Sequence, residues 1–146
     1  MKNKKVLIIA EAGVNHNGNL NIAKKMVTVA KNCGADYIKF QSFTAKKLAT
    51  KSVNQAPYQK ANTKKQQSQY NMLKKLELSE RSHLKILQHC KKRKIGFLST
   101  GFDIENIKFL VKKCKMNTIK IPSGEITNIP YLKFLGKLKK QILLST

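Results

Sequence analysis

Two hydrophobic periods alternate along the chain. Short, continuous apolar runs are separated by longer stretches in which apolar residues recur every three or four positions. The continuous runs are typical of strands buried on both faces, and the longer spacing is typical of amphipathic helices. The five predicted strands are VLIIA (6–10), DYIKF (36–40), IGFLS (95–99), NTIKI (117–121) and QILLS (141–145).

The predicted helices have recognisable boundary residues. Ser79, Asp103 and Asn128 each precede a helical stretch and belong to the residue types that cap helix N-termini. Gly34 follows the first helical stretch and is a typical C-terminal stop. Between residue 41 and about residue 70 the periodicity lapses into a polar stretch, which predicts a long loop.

Strand and helix alternate four times, and the series ends on a strand. Such βα repeats give parallel strands with right-handed crossovers. Two α/β architectures remain: a doubly wound open sheet and part of a (β/α)8 barrel. A phosphate-binding glycine motif would favour the open sheet, and the sequence contains none.

The charge of the chain is extreme, with 30 Lys and Arg against seven Asp and Glu and a formal net charge of +23. Only Arg81 and Arg93 are arginines, and the lysines are spread through almost every segment. Nucleic-acid readers rely on bidentate arginine and on stacking aromatic residues, so a solvated lysine surface is the favoured interpretation. A basic nucleic-acid-binding fragment stays open as the alternative.

The cysteines and the apolar runs indicate where the chain resides. Cys33, Cys90 and Cys114 are isolated, which argues against a disulfide framework or a zinc site and fits a reducing compartment. The apolar run after the basic N-terminus is shorter than a signal-peptide core, and no run approaches the ~20 apolar residues of a membrane span. We therefore expect a cytoplasmic protein with no membrane partner.

Polar and charged residues gather where the predicted strands end. In parallel α/β folds the carboxyl ends of the strands form the active site. Two lysines and two carboxylates at these ends suit a small anion held beside an acid/base group, which favours an enzyme over a purely structural domain. The candidates are Glu11 and Asn15, Lys39 and Gln41, Thr100, Lys120, Ser123 and Glu125, and Ser145.

These segments carry a family resemblance. The stretches IIAEAGVNHNG, GADYIKFQSF, FLSTGFD, IKIPSGEITN and ILLST resemble, in order, the strand-end motifs of the bacterial sialic acid synthase family. The likeness runs from about Val6 to Thr146. Five ordered motifs are far more specific than any one of them.

The resemblance implies a fold and a reaction. The expected fold is a partial (β/α)8 TIM barrel, with its first five strands and four helical connections, so that residues 1–146 form an incomplete synthase domain. The second half of the barrel and an antifreeze-like C-terminal domain are expected to be absent. Family members condense phosphoenolpyruvate with an open-chain N-acetylated hexosamine such as N-acetylmannosamine or a diacetamido dideoxy relative. The complete enzyme would be a homodimer that uses Mn²⁺ or Mg²⁺.

The resemblance also implies residue roles. Glu11 and Glu125 match carboxylates near the reacting carbons, and Asn15 and Gln41 match polar groups of the same pocket. The polar stretch 41–70 would cover the sugar. No metal ligand is expected in this chain, because the family's metal-binding histidines lie on later strands. The phosphoenolpyruvate ligands are expected to be Lys39, Thr100, Lys120, Ser123 and Ser145.

Two further expectations concern a difference from the family's motifs and the roles of the histidines. Gly101 stands where most members have proline, which could loosen Thr100. His16 is interpreted as a hydrogen-bonding turn residue, and His83 and His89 face different directions on one helix. A truncated chain without activity, or a decayed gene product, remains a third possibility.

Overall fold

The computed structural model describes residues 6–49 and 68–146. Within these ranges one or more helices separate each strand from the next. The strands are β1 (Ile9–Gly13), β2 (Tyr37–Ser42), β3 (Gly96–Gly101), β4 (Thr118–Ile121) and β5 (Gln141–Leu144). The α-helices are α1 (Leu20–Asn32), α2 (Ala45–Leu48), α3 (Gln69–Leu76), α4 (Glu80–Arg93), α5 (Ile104–Lys112) and α6 (Ile129–Lys137). A 3₁₀ turn (Ser123–Glu125) precedes α6.

The strands form two parallel sheets in chain order. β2 lies between β1 and β3 in the first sheet, and β4 pairs with β5 in the second. β3 contacts β4 without a hydrogen-bonded ladder between them. Helical segments connect each strand to the next, so the prediction of parallel strands joined by four helical connections is confirmed.

The predicted strand boundaries were wrong by a few residues. β1 begins at Ile9 and continues to Gly13, so Glu11 lies inside the strand instead of following it. The ladder accommodates this carboxylate because Lys39 lies opposite it in β2, and a register shift follows between Glu11 and Gly13. β2 and β3 each extend two residues beyond their predicted ends.

The predicted loop between residues 41 and 70 also needs correction. Gln41 belongs to β2, α2 follows shortly after, and α3 begins at Gln69. The Ser68 side chain caps α3 by accepting a hydrogen bond from the Asn71 amide at 3.2 Å. The Glu77 carboxylate accepts one from the Ala45 amide at 3.0 Å and so ties α3 to α2. Residues 50–67 of the predicted loop lie outside the described residues.

The predicted helix boundaries are confirmed. The side chains of Ser79, Asp103 and Asn128 accept hydrogen bonds from backbone amides in the first turns of α4, α5 and α6. Gly34 follows α1 with a φ of +83°, a conformation that glycine adopts without strain.

The apolar core lies between the sheets and the helices. Its larger part joins the buried faces of β1, β2 and β3 to α1, α4 and α5, and its smaller part packs α5 and α6 on β4. Because these residues face the helices, the alternate residues of each strand face the opposite side of the sheet. Among the described residues, no helix is long and apolar enough to cross a membrane.

Candidate functional site

Side chains of β2 point alternately to the two faces of the sheet, and one of these faces is polar. Ile38, Phe40 and Ser42 are buried on the helix side, whereas Lys39 and Gln41 are only partly buried and lie on the other face. A lysine within a parallel strand therefore has its ammonium on the side that the helices leave open.

Three strands bring charged and hydroxyl groups together on this face. Lys39 forms an ion pair with Glu11 of β1. Its ammonium also lies 3.5 Å from the Thr100 hydroxyl of β3. The second sheet supplies Lys120, whose ammonium donates hydrogen bonds to the Ser145 hydroxyl and, at 2.7 Å, to the Ile121 carbonyl.

The two lysines influence each other electrostatically. Partial burial lowers the pKa of Lys120, and repulsion from the Lys39 ammonium lowers it further, while Glu11 acts in the opposite direction. Two like charges that repel each other, with hydroxyl groups beside them, would be stabilised by a bound anion. We call Glu11, Lys39, Thr100, Lys120 and Ser145 the lysine cluster.

Gln41 lies at the edge of the lysine cluster. Gly13 has a φ of +51°, and a Cβ added there would lie 3.4 Å from Glu11 Oε1 and 3.8 Å from Gln41 Nε2. The Glu11 and Gln41 side chains therefore flank the same glycine. The positive φ explains why a glycine ends the strand here.

Three candidates lie apart from these contacts. The Glu125 carboxylate accepts a hydrogen bond from Asn128 Nδ2 at 2.7 Å. Burial and then the charge of Glu125 raise the pKa of Tyr131, which places this carboxylate toward α6. Ser123 is exposed in the 3₁₀ turn, and Asn15 is exposed in the turn after β1.

Gly101 is packed more closely than the sequence indicated. A Cβ added to it would lie 2.8 Å from Ile107 Cδ1, so the position has little room for a side chain. Its carbonyl accepts a hydrogen bond of 2.6 Å from the buried Tyr131 hydroxyl. Thr100 is buried within β3 beside it. The predicted loosening of Thr100 stays a prediction.

A buried polar network that was not predicted from the sequence lies behind the lysine cluster. Ser42 Oγ lies 2.7 Å from both His83 Nε2 and Ser99 Oγ. His83 Nδ1 lies 3.1 Å from the Ser79 carbonyl, so it donates there and Nε2 accepts from Ser42. Burial lowers the pKa of His83. Nothing in the spacing of these residues along the chain signals the contact.

The histidine predictions are otherwise confirmed. His16 Nδ1 accepts a hydrogen bond from the Gly18 amide at 3.0 Å, as expected of a turn residue. Its complete burial was not foreseen, because its neighbours in sequence are polar. His83 contacts Ser42, whereas His89 Nε2 lies 3.2 Å from the Thr28 hydroxyl on another side of α4.

Comparison with known proteins decides the family. The model of the NeuB family matches residues 26–146. The chain belongs to the NeuB family. Its relatives include two N,N'-diacetyllegionaminic acid synthases, from Campylobacter jejuni (52% identity over 98% of this chain) and Legionella pneumophila (50% over 95%). The chain spans only 42% and 39% of those two proteins.

Two solved structures of similar proteins share this fold. An N-acetylneuraminic acid synthetase from Leptospira borgpetersenii, crystallised with citrate, superposes with a TM-score of 0.81 at 30% identity; the match covers 97% of this chain and 45% of that one. The spore coat polysaccharide biosynthesis protein SpsE of Bacillus subtilis gives a TM-score of 0.73 at 30% identity, over 99% of this chain and 37% of its own. These neighbours confirm an α/β fold with parallel sheets. Because the relatives are named synthases, NeuB is a family of enzymes.

The described residues do not fit the metal that the family resemblance implies. No group of three or more His, Cys, Asp or Glu side chains in residues 6–49 and 68–146 lies close enough to hold an ion. Glu11, the carboxylate of the lysine cluster, is paired with Lys39. We therefore assign no step of the chemistry to a metal held by these residues.

Proposed function

We propose that this chain supplies the phosphoenolpyruvate-binding part of a nonulosonic acid synthase. The observation that carries the proposal is geometric: Lys39 contacts Glu11 and the Thr100 hydroxyl, and Lys120 contacts the Ser145 hydroxyl, all at or near the carboxyl ends of parallel strands. The hydroxyls of Thr100 and Ser145 lie beside them. Two cations with hydroxyl donors suit a ligand with a phosphate and a carboxylate.

The proposed architecture is the first five strands of a (β/α)8 barrel, with residues 1–146 as an incomplete synthase domain. The parallel order of the strands, their helical connections and the superposition on the Leptospira borgpetersenii structure support it. The lysine cluster would then face the barrel mouth, where barrel enzymes bind their substrates.

In the proposed reaction, carbon 3 of phosphoenolpyruvate forms the new bond to the aldehyde carbon of the open-chain sugar. Water adds to the cationic carbon 2, and the resulting tetrahedral intermediate collapses by breaking its bond to the phosphate oxygen. Lys39, Lys120 and the neighbouring hydroxyls, with Ser123, would hold the phosphate and carboxylate. Preorganised cations of this kind stabilise charge that develops as phosphate leaves.

Glu11 and Glu125 are the proposed acid/base groups. Glu11 is half-exposed and paired with Lys39, so it lies beside the proposed anion site. Glu125 would have to turn from Asn128 toward that site, or act on water from the side of α6. Asn15 and Gln41 would line the sugar pocket.

The proposed sugar substrate is an N-acetylated hexosamine. The names of the two most similar synthases described above favour a diacetamido dideoxy sugar over N-acetylmannosamine. We further propose a cytoplasmic enzyme that is a homodimer when complete, without a specific nucleic-acid partner.

Direct binding tests the anion site without requiring catalysis. We expect phosphoenolpyruvate to bind the 146-residue chain, to be displaced by inorganic phosphate, and to bind Lys120→Ala about ten-fold or more weakly because a charge-assisted contact is lost. Lys133→Ala, an exposed lysine of α6, is the matched control and should bind normally. Equal affinity in the wild type and Lys120→Ala would contradict the assignment.

A further inference from the structure

A second charged surface lies at the end of the fold opposite the lysine cluster. The helices run back along the parallel strands, so the C-termini of α1, α4, α5 and α6 lie near the amino ends of the strands. Ten of the twelve residues in 91–94, 112–115 and 137–140 are Lys or Arg, and Lys31 lies in the last turn of α1. We call these segments, with Lys31, the amino-end face.

The acidic residues are segregated away from the amino-end face. Of the seven in the chain, only Asp36 lies at this end, just before β2. Its carboxylate accepts a hydrogen bond from the Ile8 amide at 2.9 Å. The others lie in β1, in the segments that begin α4 and α5, and in the 3₁₀ turn, all toward the lysine cluster. The fold therefore concentrates its positive charge at one end.

The backbone shows that this charge is more than an effect of the helix dipole. Cations in a last helical turn are favoured by the dipole, and that accounts for residues such as Lys92 and Lys112. Lys94, Lys115 and Lys139 are different, because their φ values of 55°, 58° and 50° are left-handed. Glycine is the ordinary residue at such positions after a helix. Three successive turns at this end carry a lysine instead.

Exposed apolar residues border the amino-end face. Val6, Leu7 and Ile8 precede β1 at this end and are 75%, 60% and 54% exposed. Lysines together with exposed apolar side chains match an anionic bilayer, whose headgroups attract polybasic segments and whose acyl boundary takes up apolar groups. Base reading in nucleic acids depends more on arginine, and Arg93 is the one arginine of the amino-end face.

We propose that the amino-end face docks on a membrane surface rich in anionic lipid, with Val6–Ile8 at the acyl boundary and the lysine cluster turned away from the bilayer. This inference is independent of the proposed function. The expectation that the chain has no membrane partner rested on the lack of a spanning segment, and peripheral docking needs none.

The three left-handed lysines allow a test that does not threaten folding. In the variant Lys94→Gly/Lys115→Gly/Lys139→Gly, three charges are removed and each new residue suits its backbone conformation. The matched control Lys85→Gln/Lys108→Gln/Lys133→Gln removes three exposed lysines from the middle of the same helices. Both variants carry the same net charge, and far-ultraviolet circular dichroism verifies that both keep the secondary structure of the wild type.

Flotation of vesicles mixed with the 146-residue chain through a density gradient at physiological salt is the measurement, because self-associated chain without lipid does not float. We expect binding to equal mixtures of phosphatidylglycerol and phosphatidylcholine and little binding to phosphatidylcholine alone. The glycine variant should bind about ten-fold or more weakly, and the control nearly as well as the wild type. Equal losses in both variants, or no binding to the anionic vesicles, would overturn the proposal.

A second variant separates a membrane from other polyanions. Val6→Ser/Leu7→Ser leaves the charge unchanged and should weaken vesicle binding while leaving any residual binding to single-stranded RNA unaffected. Vesicle binding that is insensitive to this variant would overturn the membrane assignment. So would tighter binding to RNA than to vesicles at the same salt, which would assign the amino-end face to nucleic acid.

Discussion

Lys39 of β2 lies directly opposite Glu11 of β1, and their side chains form an ion pair. The pair is asymmetric, because the Lys39 side chain is 13% exposed and that of Glu11 is 54% exposed. A largely buried cation is thus neutralised by a carboxylate that solvent and ligands can reach. An entering anion would compete with Glu11 for Lys39, and the carboxylate would be freed beside the substrate.

Replacing Glu11 by Gln tests this arrangement. In a complete enzyme we expect Glu11→Gln to lower kcat by roughly 10²-fold or more, because a positioned proton-transfer group is lost. It should also lower the free energy of unfolding by about 1–3 kcal/mol, because the largely buried Lys39 ammonium loses its counter-charge. Steady-state kinetics and a thermal melt measure the two effects.

Glu105→Gln is the control for that variant. Glu105 also pairs with a lysine, Lys47, but at the start of α5. We expect normal kcat from it. Normal kcat in Glu11→Gln as well would remove Glu11 from the reaction.

Substitutions of Lys120 and Glu125 should impair different kinetic constants of a complete enzyme. Lys120→Ala should raise KM for phosphoenolpyruvate about ten-fold or more, because it removes a charge-assisted contact to the anion. Glu125→Gln keeps the shape of the side chain and should lower mainly kcat. Because Glu125 contacts Asn128 here, an unchanged kcat would assign it to the structure of the turn before α6.

The sequence predicted the elements and the lysine cluster better than it predicted boundaries and buried polar contacts. Lys39, Thr100 and Lys120 were found because they lie where predicted parallel strands end, which is where such folds place their active sites. Glu11 was predicted to follow β1 because a charge ordinarily interrupts an apolar strand. The structure shows that the strand continues through Glu11 because this carboxylate has a partner on β2. The contact of Ser42 with His83 joins residues 41 positions apart, and no local pattern reports it.

The buried contact of Ser42 with His83 predicts a stability effect. His83→Ala should lower the free energy of unfolding by about 2–4 kcal/mol, because it opens a cavity and removes one of the two hydrogen-bond partners of the buried Ser42 hydroxyl. His89→Ala is the control on the same helix and should cost less than about 1 kcal/mol, since His89 is only partly buried. Urea unfolding measures the free energy of unfolding of both variants. Equal losses in the two variants would contradict the prediction, which rests on the difference in burial between the two histidines.

The same histidine predicts the direction of a pH effect. Burial holds the pKa of His83 below its ordinary value of 6.5, so the unfolded chain binds more protons than the folded chain as pH falls below about 6.5. The contribution of the neutral His83 to the free energy of unfolding should therefore be fully present above that pH and decline below it. His16 and His89, whose pKa values are also lowered, act in the same direction. The decline should be shallower in His83→Gln, and an identical pH profile would contradict the role of His83.

The sheet edges predict how the 146-residue chain behaves alone. Within residues 6–49 and 68–146, β1 pairs only with β2 and β5 only with β4, and Ile142 and Leu144 of β5 are 41% and 52% exposed. Exposed apolar edges favour association with other strands. We expect concentration-dependent self-association in sedimentation velocity, a broad thermal melt and no turnover. A monodisperse, sharply melting monomer that turns over substrate would contradict this prediction.

A chimera tests the central claim most directly. The matching segment of the Campylobacter jejuni N,N'-diacetyllegionaminic acid synthase is replaced by this chain, and phosphate release is measured with phosphoenolpyruvate and a panel of N-acetylated hexosamines. We predict phosphate release that requires both substrates, is greatest with a diacetamido dideoxy sugar and is lost in Lys39→Ala/Lys120→Ala. A folded chimera that releases no phosphate with any sugar of the panel, under conditions in which the parent enzyme is active, would contradict the account.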